Sequence, residues 1–190
     1  MGKSTAQHLH QAVKSGDHDR VLALLNKHKK KDKQLLSALG DDGSTPLCSA
    51  VSAGDDKMVT LLIARGADCN TPDQSGWTPL HWAANNADLM TCRSLLVAGA
   101  DPTIANRSGT TVLHLLSRIN VKDEDEQQVL LEFLAMMVAQ KAPVDALNKK
   151  GESPLHQATF RGNLVVMRFL LASNACLNLA TQCVSAISIT

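Results

Sequence analysis

Apolar residues in this chain come in short runs of helical character, interrupted at regular intervals by glycine and by a hydroxyl residue followed by proline. Runs such as Val21-Leu22-Ala23-Leu24-Leu25 and Met58-Val59-Thr60-Leu61-Leu62-Ile63 predict short helices with one buried face. Thr45-Pro46 and Thr78-Pro79 each open a further helix. The hydroxyl serves as N-cap and the proline takes the first helical position, where its missing N–H costs nothing. Leu and Ala then recur at helical spacing, and the small Ala50, Ala83, Ala84 and Ala158 let two helices approach closely. Gly54, Gly66, Gly99 and Gly162 fall where a helix must end or the chain must turn with positive φ. Each unit therefore reads as a short helix pair plus a turn. Alone it cannot bury its apolar face, and stacking solves that. The predicted class is all-α.

The pattern repeats. Gly43-Ser44-Thr45-Pro46-Leu47 returns as Gly76-Trp77-Thr78-Pro79-Leu80-His81, as Gly109-Thr110-Thr111-Val112-Leu113-His114 and as Gly151-Glu152-Ser153-Pro154-Leu155-His156. The leading glycines are spaced by 33, 33 and 42 residues. A second phrase follows in phase: Gly66-Ala67-Asp68-Cys69-Asn70, then Gly99-Ala100-Asp101-Pro102, with weaker copies at Ala142-Pro143-Val144-Asp145 and Ala175-Cys176-Leu177-Asn178. The period and the phrase Trp77 to Ala84, W-T-P-L-H-W-A-A, resemble the ankyrin-repeat family, whose signature is T-P-L-H-x-A at 33 residues. The resemblance covers roughly residues 5–178. It implies a solenoid of helix-turn-helix units with projecting turns. It also implies that His81, His114 and His156 tie adjacent repeats together through backbone hydrogen bonds, a link weakened where Cys48 replaces the imidazole.

The phased glycines divide the chain into a degenerate first repeat (1–40) and full repeats at 41–73, 74–106, 107–148 and 149–178, with a non-repeat tail at 179–190. The fourth unit carries an insertion at 120–128 that holds Asp123-Glu124-Asp125-Glu126 and reads as a solvated loop, or as an acidic contact for a basic partner. The basic run Lys27-His28-Lys29-Lys30-Lys31-Asp32-Lys33 reads as a solvated helix end and loop, with a nuclear import signal or an anionic-lipid contact as the sharper alternatives. The ending Cys183 to Thr190 is neither a further repeat nor a polar cap. Val165, Val166, Phe169 and Leu170 would then keep one apolar side uncovered. The tail, a partner or the missing part of a longer protein would cover them, and truncation or a variant terminus is the favoured reading.

Composition narrows the class further. Across 190 residues, 19 Lys+Arg balance 18 Asp+Glu for a net charge of +1, which leaves no cationic surplus for nucleic acid. Aromatics make up 3% and Tyr is absent, so Leu, Ala, Val and Met must fill the core. Five cysteines without a C-x-x-C suggest neither a zinc site nor a disulfide framework. Reduced thiols point to a cytoplasmic or nuclear setting. No run approaches the roughly 18 apolar residues of a membrane span.

Catalytic chemistry is not suggested. Gly2-Lys3-Ser4-Thr5 imitates the end of a phosphate-binding loop, but this sequence does not contain the preceding strand and glycine, so no phosphate cradle is expected there. His8 and His10 flank one residue only, and no metal or cofactor is expected. The motif histidines are spaced apart along the stack instead of clustering, so a structural role accounts for them.

The positions free of repeat duties are the turns and the first helices, which line the concave face in this fold. They include Asp41, Asp42, Ser44, Gln74, Ser75, Ser108, Thr110 and Glu152. The residues expected to bind a partner are Trp77, Asn85, Asn86, Arg107, Arg118, Lys149, Lys150, Phe160 and Arg161. This face runs from acidic at Asp41 and Asp42 to basic at the other end, and exposed Trp and Arg are enriched at hot spots. The alternative for the aromatics is that Trp77 packs over its own turn and Phe160 on the next repeat. The resemblance implies a protein partner, and the basic end suits an acidic segment. The expected function is a non-catalytic interaction module. The competing reading is an N-terminal targeting or autoinhibitory fragment of a larger signalling enzyme or GTPase regulator. A monomer is expected, with self-association through the uncapped last repeat as the variant.

Overall fold

The computed structural model describes residues 4–27, 32–119, 121 and 123–176. They form the all-α repeat architecture expected. The helices are α1 (Thr5–Lys14), α2 (His18–Lys27), α3 (Asp32–Leu36), α4 (Pro46–Ala53), α5 (Asp56–Ala64), α6 (Pro79–Asn85), α7 (Leu89–Val97), α8 (Val112–Leu116), α9 (Glu124–Ala139), α10 (Pro154–Arg161) and α11 (Leu164–Ala172). Two compact units are drawn from Met1–Asn86 with Met90–Ala100, and from Ala87–Leu89 with Asp101–Thr190. The tail at 179–190 and most of the basic run at Lys27–Lys33 lie outside the described residues.

In the first unit, α1 packs on α2 and α4, and α4 packs on α5 and α6. Leu9, Leu25, Leu47, Met58, Leu62, Leu80 and Leu95 are fully buried between these rows. Each contributes roughly 1.5–3 kcal/mol of hydrophobic transfer, and Ala12, Ala50, Ala83 and Ala84, also buried, keep the helices close. Polar ties cross the stack. Thr91 Oγ1 donates to Asp56 Oδ1 (3.0 Å), and Asn86 Nδ2 donates to the Val51 carbonyl (3.2 Å). The short helix α3 is not legible in the repeat pattern; it packs on α1 and buries Leu36.

In the second unit, α8 packs on α10, α10 on α11 and α9 on α11. Residues 124–128, read above as part of a solvated loop, are the first turns of α9, which runs for 16 residues. Asp123 caps it by accepting from the backbone N–H groups of Asp125 (2.9 Å) and Glu126 (3.2 Å). Glu124, Asp125 and Glu126 then lie at the positive end of the helix dipole. The buried stripe Leu130, Phe133, Leu134 and Met137 has helical spacing. In α11, Val166 and Leu170 are buried, whereas Val165 and Phe169 are only half-covered.

Three of the projecting turns are closed by one side-chain acceptor three residues before the glycine. Asp73 Oδ1 accepts from the N–H groups of Ser75 and Trp77, both at 2.8 Å. Asn106 Oδ1 does the same for Ser108 (2.9 Å) and Thr110 (3.0 Å), and Asn148 Oδ1 for Lys150 (2.8 Å) and Glu152 (3.1 Å). In the first turn that position is Gly40, because a Cβ there would stand 2.8 Å from His10 Nδ1.

Candidate interaction site

The second unit brings two successive turns against each other. The Lys149 N–H donates to the Ser108 carbonyl at 2.9 Å. This approach demands glycine at position 109: its φ is +75°, and a Cβ would lie 3.1 Å from Asn148 Cα and 3.2 Å from Lys149 N. Behind the turns, His114 on α8 fastens the two repeats. Its Nδ1 accepts from Thr111 N (3.1 Å) and Thr111 Oγ1 (2.8 Å). The proton therefore sits on Nε2, which donates to the Glu152 carbonyl at 3.0 Å. Burial pushes the His114 pKa below its ordinary value, and the neutral tautomer this bonding needs is favoured.

Between the turns and the first helices opens a cleft of about 300 Å³. Lys149 and Lys150 come to it from the turn, Arg118 from just beyond the C-cap of α8, and Ser108 and Thr110 from the opposite turn. Asn148, Glu152 and Gln157 complete the wall beside His114. Arg118, Lys149 and Lys150 are exposed, and among the described residues none of them forms an ion pair. The one carboxylate in the cleft is already engaged by neutral donors. Glu152 Oε2 accepts from Asn148 Nδ2 (2.9 Å) and from Gln157 Nε2 (2.7 Å).

The first unit is arranged differently. Lys14 Nζ lies 2.8 Å from Asp42 Oδ2. Burial opposes the Asp42 charge, but the hydrogen bonds from Lys14 and Ser44 outweigh it and hold the carboxyl far below the usual range. Asp41 Oδ1 accepts from Gln7 Nε2 (3.2 Å). The expected acidic end of the face is thus largely engaged with its own neighbours.

The expected partner residues fall into three groups. Arg118, Lys149 and Lys150 share the cleft. Arg107, Phe160 and Arg161 are exposed in the same unit but do not line it, and Phe160 at 84% exposure is the barest large apolar side chain among the described residues. Trp77, Asn85 and Asn86 belong to the first unit. Trp77 is half-buried, its ring 4.8 Å from that of Trp82, whose Nε1 donates to Asp73 Oδ2 at 3.0 Å. Asn86 ties α6 to α4, and Asn85 is exposed. Asn148 and Gln157, which hold Glu152 in place, were not among the candidates. The recurrence of Asp73, Asn106 and Asn148 ahead of the turn glycines is a signal that could have marked the first of them.

Cys48, His156 and His10 depart from the His114 pattern in different ways. Burial pushes the Cys48 thiol up to about 12. The thiol stays protonated and its Sγ donates to the Trp77 carbonyl at 3.5 Å, a longer and weaker substitute for imidazole. In α10, His156 Nδ1 accepts from Ser153 N (3.0 Å) and Oγ (2.9 Å), so Nε2 bears the proton. It is buried and finds no acceptor among the described residues. His10 Nε2 donates to the Ala38 carbonyl (2.7 Å), but α1 begins a turn earlier at the Ser4 cap and offers Nδ1 no donor.

Among the described residues, no helix is long and apolar enough to cross a membrane, and no group of three or more His, Cys, Asp or Glu is placed to hold a metal ion. Residues 9–106 and 83–181 match the family model described as ankyrin repeats (3 copies). A search of curated protein sequences returned no match.

Proposed function

The chain belongs to the ankyrin-repeat family, and from that premise we propose that it is a non-catalytic module receiving an acidic segment of a protein partner in the cleft of its second unit. Ankyrin repeats are generally protein–protein interaction modules. The finer reading is carried by one observation: Arg118, Lys149 and Lys150 surround a cleft with no ion-pair partner among the described residues, while Glu152 is held by amides. An incoming carboxylate would meet cations that need not first break a bond within the chain. Arg107 would contribute at the rim, and Phe160 and Arg161 would extend the contact along the C-terminal end of α10. A soluble role in the cytoplasm or nucleus is part of the same proposal.

The test compares wild-type chain with Arg118→Glu and with Lys149→Glu/Lys150→Glu, each shown to melt like the wild type. Partners captured from cell extract and synthetic Asp/Glu-rich peptides should both be lost, with peptide affinity down at least about tenfold (~1.4 kcal/mol) and falling with added salt. Retention of the same partners and affinities by both variants would sink the site.

A second reading, self-association through the last helix pair, is favoured by the buried Nε2–H of His156, which has no acceptor among the described residues, and by exposed Phe160 and Leu164 (84% and 61%). A concentration-dependent mass in light scattering, abolished by Phe160→Ser/Leu164→Ser, is its expected signature. A constant monomer mass removes it.

A further inference from the structure

Resting on the reading of the cleft as an anion-accepting interaction site, we propose that its occupant is a phosphorylated serine or threonine carried in an extended peptide segment. Charge balance is the first argument. Arg118, Lys149 and Lys150 bring three positive charges to one space and Glu152 a single negative one, a local surplus of two. One partner carboxylate would leave half of that surplus uncompensated. A phosphoserine or phosphothreonine carries about −1.5 to −2 at pH 7 and closes it.

Donor geometry is the second. A guanidinium presents a planar fork to two oxygens, whereas ammonium groups act as mobile point charges. One fork and two point charges lining one cleft suit a tetrahedral group with three acceptor oxygens better than a flat carboxylate with two. The Ser108 hydroxyl, on the opposite wall, adds a neutral donor.

Size and setting are the third. A cleft of about 300 Å³ holds a phosphoryl group with its Cβ and the backbone on either side. Two separate acidic side chains would have to crowd into the same space. Glu152 is immobilised by Asn148 and Gln157 and leaves the three cations to the incoming group. A net charge of only +1 for the whole chain disfavours nucleic acid.

The experiment uses the full chain and three fluorescein-labelled peptides, identical in sequence with Asp on both flanks, whose central residue is serine, glutamate or phosphoserine. Affinity is read by fluorescence anisotropy, and the contact is located by amide and arginine side-chain NMR shifts. The phosphoserine peptide should bind at least about tenfold more tightly than the glutamate peptide and shift the signals of Ser108, Arg118, Lys149 and Lys150. That advantage should vanish in Arg118→Gln and in Lys149→Gln/Lys150→Gln, both still melting like wild type. Equal binding of glutamate and phosphoserine peptides, lost in the same variants, would overturn the phosphoryl proposal and leave the acidic-segment site standing. Binding of all three peptides that the variants do not alter, or no binding of any, would overturn both. Inorganic phosphate that shifts the same signals with the affinity of the phosphopeptide would overturn the peptide as the occupant.

Discussion

The turn acceptors give a sharp test of how the repeat is held, and Asn106 is the place to make it. Its side chain is 8% exposed, and Oδ1 accepts from the backbone N–H groups of Ser108 (2.9 Å) and Thr110 (3.0 Å). Asn106→Ala strands two partly buried donors while the backbone bonds Asn106 N to Thr110 O and Gly109 N to Asn106 O, both 2.9 Å, stay in place. At about 1 kcal/mol net for each hydrogen bond, the expected loss is about 2 kcal/mol. Asn106→Asp keeps the accepting oxygen, in the arrangement that Asp73 already adopts, so it should stay within about 0.5 kcal/mol of wild type. Asp73→Asn differs in kind. Asp73 uses two oxygens, Oδ1 for the turn and Oδ2 for Trp82 Nε1, and an amide has only one. Its expected cost is about 1 kcal/mol. Urea denaturation followed by circular dichroism, with the midpoint read at unchanged slope, measures all three. If Asn106→Asp costs as much as Asn106→Ala, the acceptor oxygen is not what closes the turn.

Three further outcomes follow from the same geometry. Gly109→Ala should cost about 2–3 kcal/mol, from positive φ together with the backbone of Asn148 and Lys149 inside van der Waals reach. Gly151→Ala, with φ +75° but open space around the added Cβ, should cost only about 1–2 kcal/mol; equal midpoints would refute the close approach. The folded-state pKa of His114 is depressed, so its contribution is complete above the unfolded value of about 6.5 and declines as pH falls through it. His114→Gln should flatten that part of the stability–pH curve, and an unchanged slope would contradict the assignment. Asp42 and Asp55 are also depressed, each against an opposing burial effect: hydrogen bonds from Lys14 and Ser44 outweigh it at Asp42, and those from Met58 N and His18 at Asp55. Their stabilisation is present above about pH 3.9 and is lost below it. Lys14→Met should therefore lower stability by a small, near-constant amount above about pH 4 and flatten the decline below it, leaving the slope above pH 5 unchanged.

Much of the fold was legible because the repeat writes its mechanics in residue types that have few other uses. Thr45, Thr78 and Ser153 before proline, glycine at the ends, and Leu and Ala in phase admit one local structure each. Helix α3 at 32–36 and the first turns of α9 at 124–128 were not legible because they lie where the phase breaks. There a short amphipathic stretch has no neighbouring copy to identify it, and acidic residues read equally well as a loop and as a capped first turn.

The site was legible in outline and obscure where pairing decides. In sequence, Lys149 and Lys150 stand beside Glu152, as though the three would neutralise one another, while Lys14 has Asp17 close by. The fold pairs them differently. Lys14 reaches Asp42, 28 residues away, whereas Glu152 turns from its neighbouring lysines to the amides of Asn148 and Gln157. Adjacent residues at a turn diverge, and the hydrogen bonds that close the turn at Asn148 fix the direction of divergence. The same asparagine that closes the repeat thus also withdraws the carboxylate that would have silenced the cleft. Its replacement by Ala should both destabilise the chain and, by releasing Glu152 toward Lys149 and Lys150, weaken anion binding beyond what the loss of folded protein accounts for.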